Sequence, residues 1–101
     1  KAVMEERADG FIAMPGGFGT LEELLEIITL KQLRYHSKGI VILDVDGFYD
    51  PLLAMFERIF AEDFARRKFA ELYHVTRDAE DAVTFLESYE PQPGDRREKV
   101  Y

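Results

Sequence analysis

The nine residues Pro15-Gly16-Gly17-Phe18-Gly19-Thr20-Leu21-Glu22-Glu23 gather three glycines, a hydroxyl and two carboxylates where an apolar run, Phe11 to Met14, gives way to an amphipathic pattern. A strand, a glycine turn and a helix in that order make an anion site. The first N–H groups of a helix lack intrahelical acceptors and carry the positive end of its dipole. Glycines let a ligand approach that backbone with no Cβ in the way, and they permit the positive φ values that curl N–H groups into a nest. Phosphate is the natural occupant. Thr20 and Glu23 also fit a ligand-free role, because Thr-x-x-Glu ahead of an apolar run is a capping box that satisfies helix donors by itself. The local pattern leaves the two roles evenly balanced. What a capping box does not account for is Gly16, Gly17 and Gly19 together, since an ordinary β-to-α turn needs one glycine or none.

Other chemistry-bearing residues are fewer. Asp44-Val45-Asp46-Gly47 closes an apolar run and has the look of the haloacid-dehalogenase nucleophile motif, in which the first Asp attacks a phosphate and the second serves as acid and base. The resemblance is partial: Phe48 stands where that motif carries threonine, and a strand-ending Asp-Gly turn is the simpler reading. His36 and His74 have no partner at metal-ligand spacing, and both are assigned structural roles; no metal is expected. Thr29 falls inside a helical pattern, where a hydroxyl bonds back to the carbonyl four residues earlier.

The elements that must position these residues follow from periodicity. A helix is expected over residues 1–8, then a short buried strand from Gly10 to Met14 bounded by glycines. From Thr20 to about Tyr35, Leu21, Leu24, Leu25, Ile27, Ile28, Leu30 and Leu33 form an apolar face too wide for one contact, so this helix is expected to be buried on more than one side. Gly39 to Leu43 is a continuous run suited to a parallel strand covered on both faces. Residues 50–61 read as a helix with Pro51 in its first turn and Leu52, Leu53, Met55, Phe56, Ile59 and Phe60 apolar. Residues 62–71 are ambiguous. Leu72 to Thr76 is a third strand, and Asp78 caps a last helix reaching about Tyr89, with Ala82, Val83, Phe85 and Leu86 inward. Residues 90–101, with two prolines, a glycine and few apolar groups, read as a flexible tail after a domain over 1–89. The alternation predicts an α/β fold, a Rossmann-like parallel sheet with helices on both faces and right-handed crossovers. Ligands of such sheets sit beyond the carboxyl ends of the strands, where the glycine cradle falls.

Composition narrows the function classes. A chain of 101 residues holds one core and buries roughly 60% of its unfolded surface. With 13 Lys+Arg against 20 Asp+Glu and a net charge of −7, a nucleic-acid backbone is not the expected partner. The absence of cysteine removes disulfides, thiolate metal sites and thiol nucleophiles, and fits a cytoplasmic protein. No apolar run reaches the roughly 18 residues of a membrane-spanning helix, and no membrane partner is expected.

Pro15-Gly16-Gly17-Phe18-Gly19-Thr20-Leu21-Glu22-Glu23 is similar to the PGGxGTxxE signature of the LOG family, cytokinin riboside 5′-monophosphate phosphoribohydrolases long labelled possible lysine decarboxylases. The likeness extends to Ala8-Asp9-Gly10-Phe11-Ile12-Ala13-Met14 ahead of the signature and to Leu43-Asp44-Val45-Asp46-Gly47-Phe48-Tyr49 after it. It implies the carboxyl-terminal half of a Rossmann-like domain. Lys1 falls at the position of the lysine in an upstream Arg-Lys pair, whose arginine would precede this chain, so the fragment alone is expected to bind weakly or be inactive. The resemblance further implies hydrolysis of the N-glycosidic bond of a nucleoside 5′-monophosphate, with no cofactor, in a homodimer. Substrate contacts would come from Lys1, Gly16, Gly17, Phe18, Gly19, Thr20, Leu21, Glu22, Glu23 and Thr29, with Glu23 as the catalytic carboxylate and Glu22 as the fallback. Two other readings stay open at this level: a molybdenum-cofactor carrier that binds a pterin phosphate without catalysis, and a dehalogenase-like phosphatase built on Asp44.

Overall fold

A computed structural model describes residues 10–90. Three parallel strands, β1 (Gly10–Ala13), β2 (Gly39–Leu43) and β3 (His74–Thr76), form one sheet in the order β1-β2-β3. Gly10 pairs with Gly39 and Ala13 with Ile42, while Val41 pairs with His74 and Leu43 with Thr76. All five residues of β2 are buried, as its uninterrupted apolar sequence requires of a central strand.

Helix α1 (Phe18–Gln32) joins β1 to β2, and α2 (Asp50–Ala61) follows β2 after a 3₁₀ turn at Val45–Gly47; a second 3₁₀ turn, Arg67–Leu72, leads into β3, and α3 (Ala79–Glu87) closes the order. Strand side chains alternate between faces. Phe11, Ala13, Ile40 and Ile42 share one face and pack with Leu24 and Ile27 of α1 and Leu52, Leu53 and Phe56 of α2. The other face carries Gly10 and Gly39, side by side in register, and there α3 packs. A Cβ on Gly10 would come within 2.7 Å of the Leu86 side chain, and one on Gly39 within 2.8 Å. These two glycines let α3 lie close against the sheet.

The expected α/β architecture is present, with helices on both faces of a parallel sheet. Boundaries moved by two residues or so: α1 begins at Phe18 rather than Thr20, and β3 starts at His74 rather than Leu72. Asp78 caps α3, its carboxylate accepting from the Glu80 N–H at 3.3 Å. Val83, expected inward, is exposed, because it lies on the outer side of its helix. The expected helix over residues 1–8 and the expected tail beyond residue 90 lie outside the described residues, as does Lys1.

Candidate functional site

β1 delivers the chain to the cradle: Ala13 is buried, and the backbone from Met14 to Gly19 is exposed at the carboxyl edge of the sheet. Gly17 is the residue ahead of α1, with φ −101° and ψ −154° and no side chain capping the helix. The first helical bond runs from the Leu21 N–H to the Gly17 carbonyl at 3.1 Å. Helix geometry therefore leaves the N–H groups of Gly17, Phe18, Gly19 and Thr20 without intrahelical acceptors. Thr20 sits at the third helical position, so the capping box does not form.

The three glycines do different things. A Cβ on Gly16 would lie 2.4 Å from Thr20 Oγ1 and 2.9 Å from Thr20 Cβ, so Gly16 is small because the threonine side chain folds over it. Around Gly17 and Gly19 nothing among the described residues lies within 4 Å of where a Cβ would stand. Neither has positive φ; among described glycines only Gly47 does, at 74°. The expected nest is thus absent, and no packing among the described residues requires glycine at these two positions.

Gly19, Thr20 and Glu23 are spaced to share one helix face. Glu23 is half-buried and Glu22 exposed. A groove of about 580 Å³ runs beside the cradle, lined by Gly16, Gly17, Phe18, Leu21, Phe48 and Met55 among others. Phe18 stands 91% exposed at its mouth. Thr29 is elsewhere: its hydroxyl donates to the Leu25 carbonyl at 2.7 Å, as expected, and it lies about 13 Å along α1 from Thr20 at 1.5 Å per residue.

The turn after β2 is built around Asp44. Its side chain is 1% exposed, and Oδ1 accepts the Tyr49 N–H at 2.6 Å. A hydrogen bond from the Asp50 carboxyl holds the Asp44 carboxyl below the usual range, with help from the Tyr49 N–H and the Arg77 guanidinium against the cost of burial. Asp50 is pushed up by the same hydrogen bond, by burial and by the Asp44 charge. Buried and engaged by the Tyr49 N–H, the Asp44 carboxyl faces inward and is not placed as an exposed nucleophile. Asp46 and Gly47, at φ 53° and 74°, make the tight reversal.

Tyr49 is the residue sequence reasoning missed. It is 4% exposed, and its hydroxyl donates to the Met14 carbonyl at 2.7 Å, linking this turn to the start of the cradle. The available signal was a phenol just beyond Asp-Gly at a helix entrance, since a buried Tyr hydroxyl finds a partner. The histidines serve structure. His36 Nε2 donates to the Ile27 carbonyl at 2.9 Å while Nδ1 accepts the Lys38 N–H at 3.1 Å, and burial pushes its pKa down. His74 pairs with Asp81 at 3.0 Å and stacks on Phe85 with ring centroids 4.2 Å apart.

Residues 1–86 match the family model described as possible lysine decarboxylase. Over 95 residues, 94% of this chain and 39% of the relative, the chain is 46% identical to a probable cytokinin riboside 5′-monophosphate phosphoribohydrolase of Oryza sativa subsp. japonica. It is 46% identical over 92 residues to the cytokinin riboside 5′-monophosphate phosphoribohydrolase LOG of the same plant, covering 91% of this chain and 38% of that protein. A cytokinin riboside 5′-monophosphate phosphoribohydrolase of Arabidopsis thaliana is 45% identical over 92 residues, 91% of this chain and 42% of the relative. The chain spans about two fifths of the length of these curated relatives.

Proposed function

Because this chain belongs to the family described as possible lysine decarboxylase, we propose that its protein hydrolyses the N-glycosidic bond of a nucleoside 5′-monophosphate, releasing the base and ribose 5-phosphate. The observation that carries the reading is the bare backbone at Gly17 and Gly19, open where a Cβ would stand, ahead of a helix with no side-chain cap. The names of the curated relatives support a cytokinin riboside monophosphate as the substrate.

In this reading the 5′-phosphate rests on the N–H groups of Gly17, Gly19 and Thr20, with the Thr20 hydroxyl donating to it and the dipole of α1 favouring its charge. Gly16 keeps Thr20 in place. Phe18 and Leu21 line the groove beside the phosphate, and Glu22 flanks it from the exposed side of the helix. Glu23 acts at the anomeric carbon: the C–N bond breaks with its electron pair leaving on the base, and the carboxylate stabilises the oxocarbenium-like ribosyl cation. It then takes a proton from the water whose oxygen bonds to that carbon, and that proton passes to the departed base nitrogen, so the base leaves neutral and the carboxylate is regenerated. Lys1 and Thr29 enter as nucleotide contacts on family resemblance alone. The protein works without a cofactor, in the cytoplasm, as a homodimer whose interface draws on the apolar breadth of α1; Leu25 on the helix and Leu33 just after it are 39% and 47% exposed.

The test is the intact protein with AMP and with an isopentenyl-substituted AMP. Free base and ribose 5-phosphate are expected, and Glu23→Gln should lower kcat at least about 100-fold while AMP still binds. Adenosine with inorganic phosphate, carbon dioxide release from lysine, or pterin binding without turnover of any nucleotide would each overturn the reading.

A further inference from the structure

We propose that Tyr49 is a positioning residue for the anion cradle, so that affinity for the 5′-phosphate depends on its phenolic hydroxyl; the proposal rests on the phosphate site argued above. Met14 is the last residue before Pro15-Gly16-Gly17, and its carbonyl is the point at which the cradle leaves the edge of the sheet. The Tyr49 hydroxyl donates to that carbonyl at 2.7 Å. Proline contributes no N–H, so Pro15 offers no backbone donor to steady the turn. The tether to Tyr49 therefore fixes the peptide that aims the following N–H groups.

Tyr49 can bear this role because it is itself held firmly. Its N–H is taken by Asp44 Oδ1 at 2.6 Å, its carbonyl accepts the Leu53 N–H at 2.9 Å in the first turn of α2, and its ring is part of the buried core with Ala13, Leu24, Ile27, Ile40 and Ile42. Phe48 meets the ring edge-on, centroids 5.0 Å apart. The hydroxyl thus connects the carboxyl ends of adjacent strands, from Asp44 after β2 to Met14 after β1. A packing role alone would use the ring and leave the hydroxyl dispensable. Here the hydroxyl is the part that reaches the cradle.

The experiment compares the intact wild-type protein with Tyr49→Phe, which keeps the ring and removes the hydroxyl. AMP and adenosine binding are measured by calorimetry, and AMP turnover and thermal stability are followed in parallel. The expected result is AMP affinity reduced about five- to tenfold, adenosine affinity unchanged, KM raised by the same factor and kcat within about twofold. Equal losses for AMP and adenosine, or no loss for either, would overturn the proposal. Tyr49→Leu, which also empties part of the core, should lower stability as well; Tyr49→Phe with near-wild-type stability separates cradle from core. Should wild-type protein bind AMP without hydrolysing it, the hydrolase reading fails while the AMP-against-adenosine comparison still decides the role of Tyr49.

Discussion

At Gly19 folding and the proposed binding pull in opposite directions, and the residue can tell them apart. Its Cβ position is open and it lies in the first turn of α1, so Gly19→Ala should raise helix stability by about 0.5–1 kcal/mol. The same methyl group would stand where the phosphate is proposed to rest. Calorimetry and thermal unfolding should show AMP affinity down by tenfold or more, roughly 1.4 kcal/mol, with an unchanged or higher Tm. Gly16→Ala makes the opposite case: its Cβ would press on Thr20 at 2.4 Å, so stability should fall by about 1–3 kcal/mol together with affinity. Three closely spaced glycines pointed, as an expectation, to an anion site. That one of them serves Thr20 while two face open space was not legible, because the difference lies in which way each Cα–H points once the helix starts at Phe18.

At the scale of elements, the end of α1 shows what periodicity can and cannot reveal. The Tyr35 N–H reaches the Leu30 carbonyl at 2.9 Å across Arg34, which sits at φ 70° in a position that favours glycine. Left-handed backbone costs a side-chain-bearing residue roughly 1–2 kcal/mol. Arg34→Gly is therefore expected to stabilise the protein by about 0.5–1 kcal/mol in urea unfolding, after allowing for the greater freedom of glycine in the unfolded chain. The loop that follows is pinned by His36, whose burial lowers its pKa below 6.5. Between that lowered value and 6.5 the unfolded chain binds a proton that the folded protein refuses, so stability falls as the pH drops through this window. Tm measured from about pH 7 to pH 5 should decline, and His36→Gln should flatten that part of the profile. The helix itself was legible from its leucines. Its non-glycine ending was not, since no residue type at position 34 announces positive φ. The strand at Gly39 to Leu43 was legible because an uninterrupted β-branched run has few other uses, whereas β3 and the turn before it share a mixed polar pattern that tertiary packing decides. Asp44 was readable both as turn former and as nucleophile, and only its burial and its bond from the Tyr49 N–H separate the two.

At the scale of the molecule, the sheet is a partition between two apolar layers, and its closest approach is at Gly10, Gly39 and Leu86. Gly39→Ala should cost about 1–2 kcal/mol, since the new methyl group meets both Leu86 and the Tyr89 ring. In a Leu86→Ala background the added cost should shrink by at least about 0.5 kcal/mol, a coupling that a denaturant double-mutant cycle would read directly. Side-chain alternation along β1 and β2 was visible in the sequence, but which helix covers which face was not, because a small residue signals close approach without naming its neighbour. The order of the strands has a further outcome in time rather than energy. Among the described residues β2 is hydrogen-bonded on both sides, whereas β1 and β3 are each bonded on one. In deuterated water the β2 amides should be the slowest to lose their protons, needing the whole sheet to open, while on β1 every second amide, aimed away from β2, should exchange orders of magnitude sooner. The strand that launches the proposed phosphate-binding turn would then carry two clocks on one backbone, and any slowing of the fast set in the intact protein would mark a further partner on that side of β1.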